Sequence, residues 1–213
     1  DVRSTFFWLV NEGMGLKNIE NADYKIEKEK DLLKKVADAG FINGLHKSSS
    51  SMSFQEEMDK GGIDSTFNRY HYLNFLPHRD WPKISESKLK FDGSLGFAEH
   101  YGFRNSYGGA FQPFDLKHNR PYDFVVAPLN FMDTTFHYYM RLDPKSVGQT
   151  IIDFYEQNST NCLFSLLWHN NYFTDFKYGA FLGEYKKVLS YIYEEKIPSL
   201  TPQEIVDEYT LTW

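Results

Sequence analysis

Short apolar, β-branched runs alternate with longer amphipathic stretches along the first half of the chain. Residues 3–10 predict a buried strand, and residues 26–39 predict a helix because their apolar positions recur on one face among Lys and Glu. Residues 41–45 predict a second strand that ends at His46. The segment Ser53-Phe-Gln-Glu56 has the spacing of a capping box, which predicts the start of the next helix. The first half therefore follows a β-α-β-α pattern.

The second half continues this alternation less regularly. Strand-like runs occupy residues 67–73, 89–94, 124–130 and 162–168, and helical patterns occupy residues 81–87, 143–157, 181–195 and a short stretch from 201. Residues 96–120 form a long loop, a kind of segment that is usually functional. Strands that alternate with helices imply right-handed crossovers and a mostly parallel sheet, either open or closed into a barrel. No repeat or linker interrupts the chain, so we expect a single domain over residues 1–213.

Composition and charge narrow the range of partners. The 213 residues carry 23 Lys and Arg against 29 Asp and Glu, a formal net charge of −6. This balance argues against nucleic acid or an anionic membrane surface as the main partner. The apolar runs fall short of the roughly 20 residues that span a bilayer, so we expect no transmembrane segment. The single Cys162 excludes an intramolecular disulfide and a Cys-rich zinc module.

Aromatic residues make up an unusual 18% of the chain. They could supply ring platforms for sugars, but a core built from large side chains is the more common use.

Several catalytic signatures are missing from the sequence. It has no G-x-x-x-x-G-K-[ST] phosphate loop, no G-x-G-x-x-G turn, no H-E-x-x-H helix and no G-x-S-x-G elbow. Phosphoryl transfer, nicotinamide chemistry and serine-hydrolase chemistry therefore have no support in the sequence.

Three histidines follow or end strand-like runs. They are His46, His71 and His169. Because the carboxyl ends of parallel strands face the active site in such folds, we expect the three side chains to lie around one pocket. Neutral imidazole is the commonest protein ligand for zinc, and a catalytic zinc site typically has three protein ligands and a water. A single histidine of this kind is more often an ordinary hydrogen-bonded residue, but three histidines at equivalent strand ends favour a functional site.

Charged and aromatic residues near these strand ends are further candidates. Arg69 lies two residues before His71 and either pairs with a catalytic carboxylate or is an ordinary surface charge. Asp133 follows the strand at 124–130 and is the best-placed acid, whereas a turn or capping role is the better interpretation of Asp92. Arg104 and Tyr107, in the long loop, either line a substrate groove or are solvated.

Several short motifs, in shared order, resemble the polysaccharide deacetylases of carbohydrate esterase family four. Ser4-Thr5-Phe6-Phe7 is similar to the family's second barrel strand, and Gly44-Leu45-His46-x-Ser48 resembles its histidine-serine metal motif. Arg69 lies where the third motif has its arginine. The segment Phe91-Asp92-Gly93-Ser94-Leu95 resembles the motif that follows, and Leu167-Trp168-His169 resembles the closing Leu-x-His motif. The resemblance extends from Arg3 to about Tyr193.

This resemblance implies a distorted (β/α) barrel with fewer than eight strands, a divalent metal such as zinc, and hydrolysis of acetyl groups on glycans. In that mechanism the metal polarises the acetyl carbonyl and lowers the pKa of a bound water, a carboxylate takes the proton, and a histidine protonates the leaving group. By motif match, His46 is a metal ligand, Arg69 orients the base, and His169 is the general acid. Trp168, beside His169, is assigned to substrate binding together with Arg104 and Tyr107.

The sequence departs from the family pattern in two ways. The family's second metal histidine corresponds to Ser50, so we assign His71 as the replacement ligand. The family's first strand carries the catalytic base and a metal-binding aspartate, and this chain, which opens at Asp1 without Met, is expected to lack it. We therefore expect a truncated barrel that is poorly active as it stands, with Asp133 as the remaining candidate base.

Three functions follow from these expectations. The first is metal-dependent removal of N- or O-linked acetyl groups from a bacterial cell-envelope or capsular polysaccharide. The second is a catalytically degenerate protein that binds glycans or assists polysaccharide assembly. The third is hydrolysis of a small non-carbohydrate amide.

Overall fold

The computed structural model describes residues 2–210. Its strands are β1 (Thr5–Leu9), β2 (Ile42–Lys47), β3 (Phe67–Tyr70), β4 (Phe91–Gly96), β5 (Phe114–Asp115), β6 (Arg120–Pro121), β7 (Val125–Leu129), β8 (Phe131–Met132) and β9 (Leu166–Leu167). Its α-helices are α1 (Lys30–Asp38), α2 (Phe54–Gly61), α3 (Pro77–Ser85), α4 (Val147–Asn158), α5 (Asp175–Glu194) and α6 (Pro202–Tyr209).

The described chain divides into two compact units. The sheet unit comprises Arg3–Ser94, Ala110–Val126 and residues 200–210. The helical unit comprises Val2, Leu95–Gly109 and Ala127–Ser199, so the unit boundaries fall inside β4 and β7. A single domain over residues 1–213 stays a prediction.

A five-stranded sheet forms the core of the sheet unit. Its strand order is β1-β2-β3-β4-β7, and β1 through β4 pair in parallel. Every residue of β4 and β7 is buried, as is typical of strands that are covered on both faces. The helices α1 and α2 pack against β2. The predicted α/β class with a parallel sheet is confirmed, whereas closure into a distorted barrel that lacks its first strand stays a prediction.

Local signals in the sequence place the helix ends of the sheet unit. The predicted capping box at Ser53 and Glu56 opens α2, and a second one, at Thr201 and Glu204, opens α6. The predicted helix at 26–39 is shorter in the structure, because Ile26–Lys28 forms a 3₁₀ turn and α1 begins only at Lys30.

Aromatic side chains dominate the core of the helical unit. The pair β8 and β9, which is parallel, lies beside α4 and α5 in this unit. Its buried cluster consists of Phe131, Phe136, Val147, Ile151, Tyr172, Phe181 and Val188. Much of the unusual aromatic content therefore serves packing. No helix among residues 2–210 is both long and apolar enough to cross a bilayer.

Two predicted strands are shorter in the structure, for physical reasons. The predicted strand at 67–73 ends at Tyr70, because a 3₁₀ turn follows at residues 71–73, where Tyr72 and Leu73 have left-handed backbone angles. The predicted strand at 162–168 shrinks to Leu166–Leu167. There the Leu163 amide donates to Gly108 O, and the Ser165 amide donates to Asn130 Oδ1, so loop and side-chain acceptors replace a regular ladder.

A buried ion pair fixes the turn that follows β2. Lys47 Nζ lies 2.6 Å from Glu57 Oε1, and both side chains are almost fully buried. The other Glu57 oxygen accepts the Ser48 amide, and Ser50 Oγ donates to Oε1. Lys47 Nζ also donates to Ser48 O, so both charges are surrounded by partners. Removing either charge leaves the other one buried and uncompensated.

We expect Glu57→Gln to lower the free energy of unfolding by roughly 3–5 kcal/mol, the usual effect of breaking a buried pair. The matched control is Asp38→Asn in the exposed pair with Lys34 on α1, which we expect to change it by no more than about 0.5 kcal/mol. Urea unfolding followed by circular dichroism measures both. Equal losses of unfolding free energy in the two variants would show that the buried pair stabilises the fold no more than the exposed pair does.

Candidate functional site

Two histidines of the sheet unit face each other where β2 and β3 end. His46 Nε2 lies 3.2 Å from His71 Nδ1, and the two rings meet edge to face with centroids 5.0 Å apart. His46 is the penultimate residue of β2, and His71 directly follows β3. Because β2 and β3 are neighbours in parallel register, their carboxyl ends bring the two side chains together.

Backbone carbonyls fix the tautomer of both rings. His46 Nδ1 lies 2.9 Å from Arg69 O, and His71 Nε2 lies 2.8 Å from Glu20 O. A carbonyl oxygen only accepts, so each of these ring nitrogens carries the hydrogen. In the neutral forms, His46 Nε2 and His71 Nδ1 therefore present lone pairs to each other. A proton or a metal cation between the two nitrogens would stabilise this arrangement.

The loop that holds Glu20 is anchored on the residues after β2. The Leu16 amide donates to Ser49 O, and the Ser49 amide donates to Asn21 Oδ1. A Cβ at Gly15 would lie 2.1 Å from Ser49 O, so only glycine fits this approach. The loop thereby presents the Glu20 carbonyl to His71.

The neighbouring strands β3 and β4 carry two charged side chains, Arg69 and Asp92, that interact electrostatically. The Arg69 guanidinium lies over the Phe7 ring at 4.6 Å and donates from Nε to Gly93 O. Asp92 is fully buried and accepts hydrogen bonds from Asn68 Nδ2, the Ser94 amide and Ser94 Oγ. The Arg69 side chain is thus part-buried and held between Phe7 and Gly93.

Burial shifts the pKa values of both charged groups. It raises the pKa of Asp92 to about 6, although the hydrogen bonds from Asn68 and Ser94 and the charge of Arg69 oppose the shift. It also lowers the pKa of Arg69 to about 10, and the Asp92 charge opposes that shift.

In the helical unit, Asp133 and His169 form a close pair. Asp133 Oδ1 lies 2.6 Å from His169 Nδ1, and Oδ2 accepts the His169 amide. Thr134 donates to Oδ1 from its amide and from Oγ1. The Asp133 side chain is fully buried, whereas that of His169 is 41% exposed. Because Nδ1 is directed at the carboxylate, the opposite nitrogen of His169, Nε2, is the one that can exchange a proton with a reactant.

Strand register creates this second pair. Met132 is opposite Leu167 in the β8–β9 ladder, so Asp133 and His169 leave the two strands at nearly the same level. Tyr172 is hydrogen-bonded to Thr134, which itself donates to Asp133. Burial raises the pKa of this tyrosine to about 12.

The structure brings the predicted site residues together in two groups. His46, His71 and Arg69 meet in the sheet unit, and Asp133 meets His169 in the helical unit. The convergence of all three histidines around one pocket stays a prediction.

The three predicted substrate-binding residues belong to the helical unit. Trp168 packs its ring against Phe181 and Tyr185, and its indole nitrogen is buried without a hydrogen-bond partner among the described residues. Arg104 donates to Gly96 O at 3.1 Å, and the Tyr107 side chain is half exposed. A substrate-binding role for each of them stays a prediction.

Sequence reasoning missed the groups that hold these side chains in place. Thr134, Asn68 and the Glu20 carbonyl were not singled out, and Asp92 was interpreted as a turn residue. The Asp92 interpretation is half right, because its carboxylate does accept the Ser94 amide two residues on. The available signal was the spacing Asp92-x-Ser94 on one strand opposite Asn68 on the next.

The described residues contain no group of three or more His, Cys, Asp or Glu side chains that could hold a metal ion. The histidine pair supplies two nitrogen ligands, one fewer than a catalytic zinc site typically takes from protein.

The chain has a weak likeness to a solved structure. No protein-family model matches the chain, and no similar chain was found among curated proteins. Among solved structures, it is similar to a proposed polysaccharide deacetylase involved in O-antigen biosynthesis from Bordetella bronchiseptica. That similarity has a TM-score of 0.48 and 13% identity, and it covers 98% of this chain and 80% of the other. It is too weak to carry a functional argument.

The raised pKa of Asp92 predicts a stability that falls as the pH rises. The folded protein binds this proton more tightly than the unfolded chain, whose carboxyl has a pKa of about 3.8. The contribution is therefore fully present below that value and is lost as the pH rises through 6. Between about pH 4.5 and about pH 7.5, we expect wild type to lose roughly 2 kcal/mol of unfolding free energy relative to Asp92→Asn.

Urea unfolding at several pH values measures this difference. Glu56→Gln is a control of opposite sign, because the hydrogen bond from the Ser53 amide lowers the pKa of Glu56. Wild type should gain stability relative to that variant as the pH rises. A difference between wild type and Asp92→Asn that stays constant with pH would contradict the assignment.

Proposed function

We propose that the protein hydrolyses N- or O-linked acetyl groups of a bacterial cell-envelope or capsular polysaccharide in a metal-dependent reaction. The observation that carries this proposal is the pairing of buried Asp133 with part-exposed His169, a unit built for proton transfer. The order of the deacetylase-like motifs along the sequence supports the choice of an acetylated glycan as substrate.

In this proposal His169 moves the proton, and Asp133 holds it in position. A buried carboxylate fixes the tautomer of a histidine, so that Nε2 can take a proton from the attacking water and return it to the departing amine or alcohol. Both Asp133 oxygens accept hydrogen bonds from His169 or Thr134. We therefore assign Asp133 as a positioning residue, in preference to the role of base that the sequence alone favoured.

The histidine pair is the candidate place for a divalent metal such as zinc. Two zinc–nitrogen bonds of about 2.0–2.1 Å at a tetrahedral angle separate their nitrogens by about 3.3 Å. His46 Nε2 and His71 Nδ1 are 3.2 Å apart, and both carry lone pairs in the neutral tautomers. A bound metal would polarise the acetyl carbonyl and lower the pKa of a water.

Arg69 contributes to this pair through its backbone and its charge. Its carbonyl holds His46 in the tautomer that leaves Nε2 available for a cation. Its guanidinium donates to Gly93 O on the neighbouring strand and opposes the rise in the Asp92 pKa. We thus propose Arg69 as a positioning residue.

A glycan-binding protein without hydrolytic activity is the second candidate. It is favoured because, among residues 2–210, no third metal-ligating side chain joins the histidine pair. Binding of acetylated oligosaccharides without acetate release would identify this alternative.

Replacing Asp133 tests the proposed reaction. We expect Asp133→Asn and His169→Ala each to lower kcat by about 10²–10⁴-fold with little change in KM, because positioned proton transfer has that magnitude. The measurement is acetate release from chitin-type and peptidoglycan-type oligosaccharides with added Zn²⁺ or Co²⁺.

The chain offers a matched control for this experiment. Asp115 and His118, in the β5–β6 hairpin, form an Asp–His pair with the same 2.6 Å separation, but the histidine is more exposed. Asp115→Asn should leave kcat unchanged. Full activity of a folded Asp133→Asn variant would contradict the assignment of the pair.

Zinc uptake tests the histidine pair independently of activity. In equilibrium dialysis, we expect wild type to bind about one Zn²⁺ per chain and both His46→Ala and His71→Ala to lose that ion. Uptake should rise with pH, because protons compete for the same nitrogens. His118→Ala is the control that keeps the ion, and equal uptake by wild type and His46→Ala would exclude His46 as a ligand.

A further inference from the structure

We propose that Tyr72 is a specificity-determining residue that stacks on a sugar ring of the glycan beside the histidine pair. This inference rests on the proposed function and assigns part of its substrate recognition to one side chain. Its starting point is an unusual backbone conformation immediately after His71.

Tyr72 and Leu73 both have positive φ angles, of 55° and 50°. A left-handed conformation is uncommon for a residue with a Cβ, and for bulky side chains it is strained. Two such residues in succession are therefore a concentrated source of backbone strain. Strain of this kind persists only where the surrounding structure imposes it, and it clusters at ligand-binding positions.

Buried aromatic packing imposes the strained turn. Phe75, two residues beyond Leu73, is buried and stacks on Tyr70 at 5.9 Å, so both ends of the turn are fixed. The Asn74 amide donates to His71 O, and the Phe75 amide donates to Leu73 O. The chain must therefore reverse within residues 71–74.

The strain does not serve to bury Tyr72. Its side chain is 65% exposed, and its ring meets the His71 ring edge to face with centroids 4.5 Å apart. Had packing alone shaped this turn, glycine or asparagine would adopt the same angles with less strain. The turn instead keeps an exposed aromatic ring next to the histidine that we propose as a metal ligand.

The chemistry of the ring indicates the class of ligand. A tyrosine offers a flat apolar face and one hydroxyl, which match the C–H face and the hydroxyl groups of a pyranose. The ring therefore contacts the substrate outside the reacting acetyl group. Such a contact changes the binding of a sugar chain more than the rate of bond cleavage.

Three variants test this role. Tyr72→Asn removes the ring with a residue that tolerates the backbone angles, and Tyr72→Phe keeps the ring. Tyr193→Ala removes another exposed tyrosine, from α5. Binding of an N-acetylated chitin pentasaccharide is measured by calorimetry, acetate release gives KM and kcat, and thermal unfolding gives Tm.

We expect Tyr72→Asn to raise both Kd and KM by about five-fold, to leave kcat within two-fold, and to show an equal or higher Tm. Tyr72→Phe and Tyr193→Ala should keep wild-type affinity within about two-fold. A purely structural role of Tyr72 would not produce weaker sugar binding together with an equal or higher Tm.

The outcomes separate this inference from the proposed function. If wild type releases acetate and Tyr72→Asn keeps the wild-type Kd and KM, the role of Tyr72 is overturned and the reaction stands. If wild type binds the sugar in a Tyr72-dependent manner but releases no acetate, the reaction is overturned and the role of Tyr72 stands. If wild type neither binds nor cleaves the sugar, both are overturned.

Discussion

A carboxylate removed from water must be surrounded by hydrogen-bond donors or countercharges, and three side chains of this protein show what that requirement does. Glu57 gathers Lys47 and the serines after β2. Asp92 joins two neighbouring strands through Asn68 and Ser94, with Arg69 nearby. Asp133 gathers Thr134 and His169. Each buried carboxylate therefore holds neighbouring segments of its own unit together.

The two histidine groups, His169 with Asp133 and His46 with His71, lie in different electrostatic environments. His169 has a buried carboxylate at Nδ1, which orients the ring and leaves Nε2 as the nitrogen for proton transfer. His46 and His71 have carbonyl oxygens at their outer nitrogens, and their inner nitrogens face each other. In one group a carboxylate therefore orients a single imidazole, whereas in the other two imidazole nitrogens lie side by side. The proposed division into a proton-transfer group and a metal-binding group follows from this contrast.

Local patterns predicted most of the fold but not the partners of the site residues. The capping box at Ser53 and the apolar strand before His46 depend on residues a few positions apart, so they can be identified in the sequence. The Asp133–His169 contact joins residues 36 positions apart and depends on the register of two very short strands. The tautomer of His71 depends on the backbone carbonyl of a loop residue. Because every residue has a backbone carbonyl, the amino-acid sequence does not reveal which one contacts His71.

Gly15 has no side-chain functional group, yet it restricts which amino-acid substitutions this protein can tolerate. Any larger residue would displace Ser49 or the loop around it, and the same loop brings the Glu20 carbonyl to His71. The ring of His71 would then be free to adopt its other tautomer, with the hydrogen on the nitrogen that faces His46. One substitution at Gly15 would thus convert the proposed cation-binding pair into a simple hydrogen bond between two neutral imidazoles, although both histidines are retained.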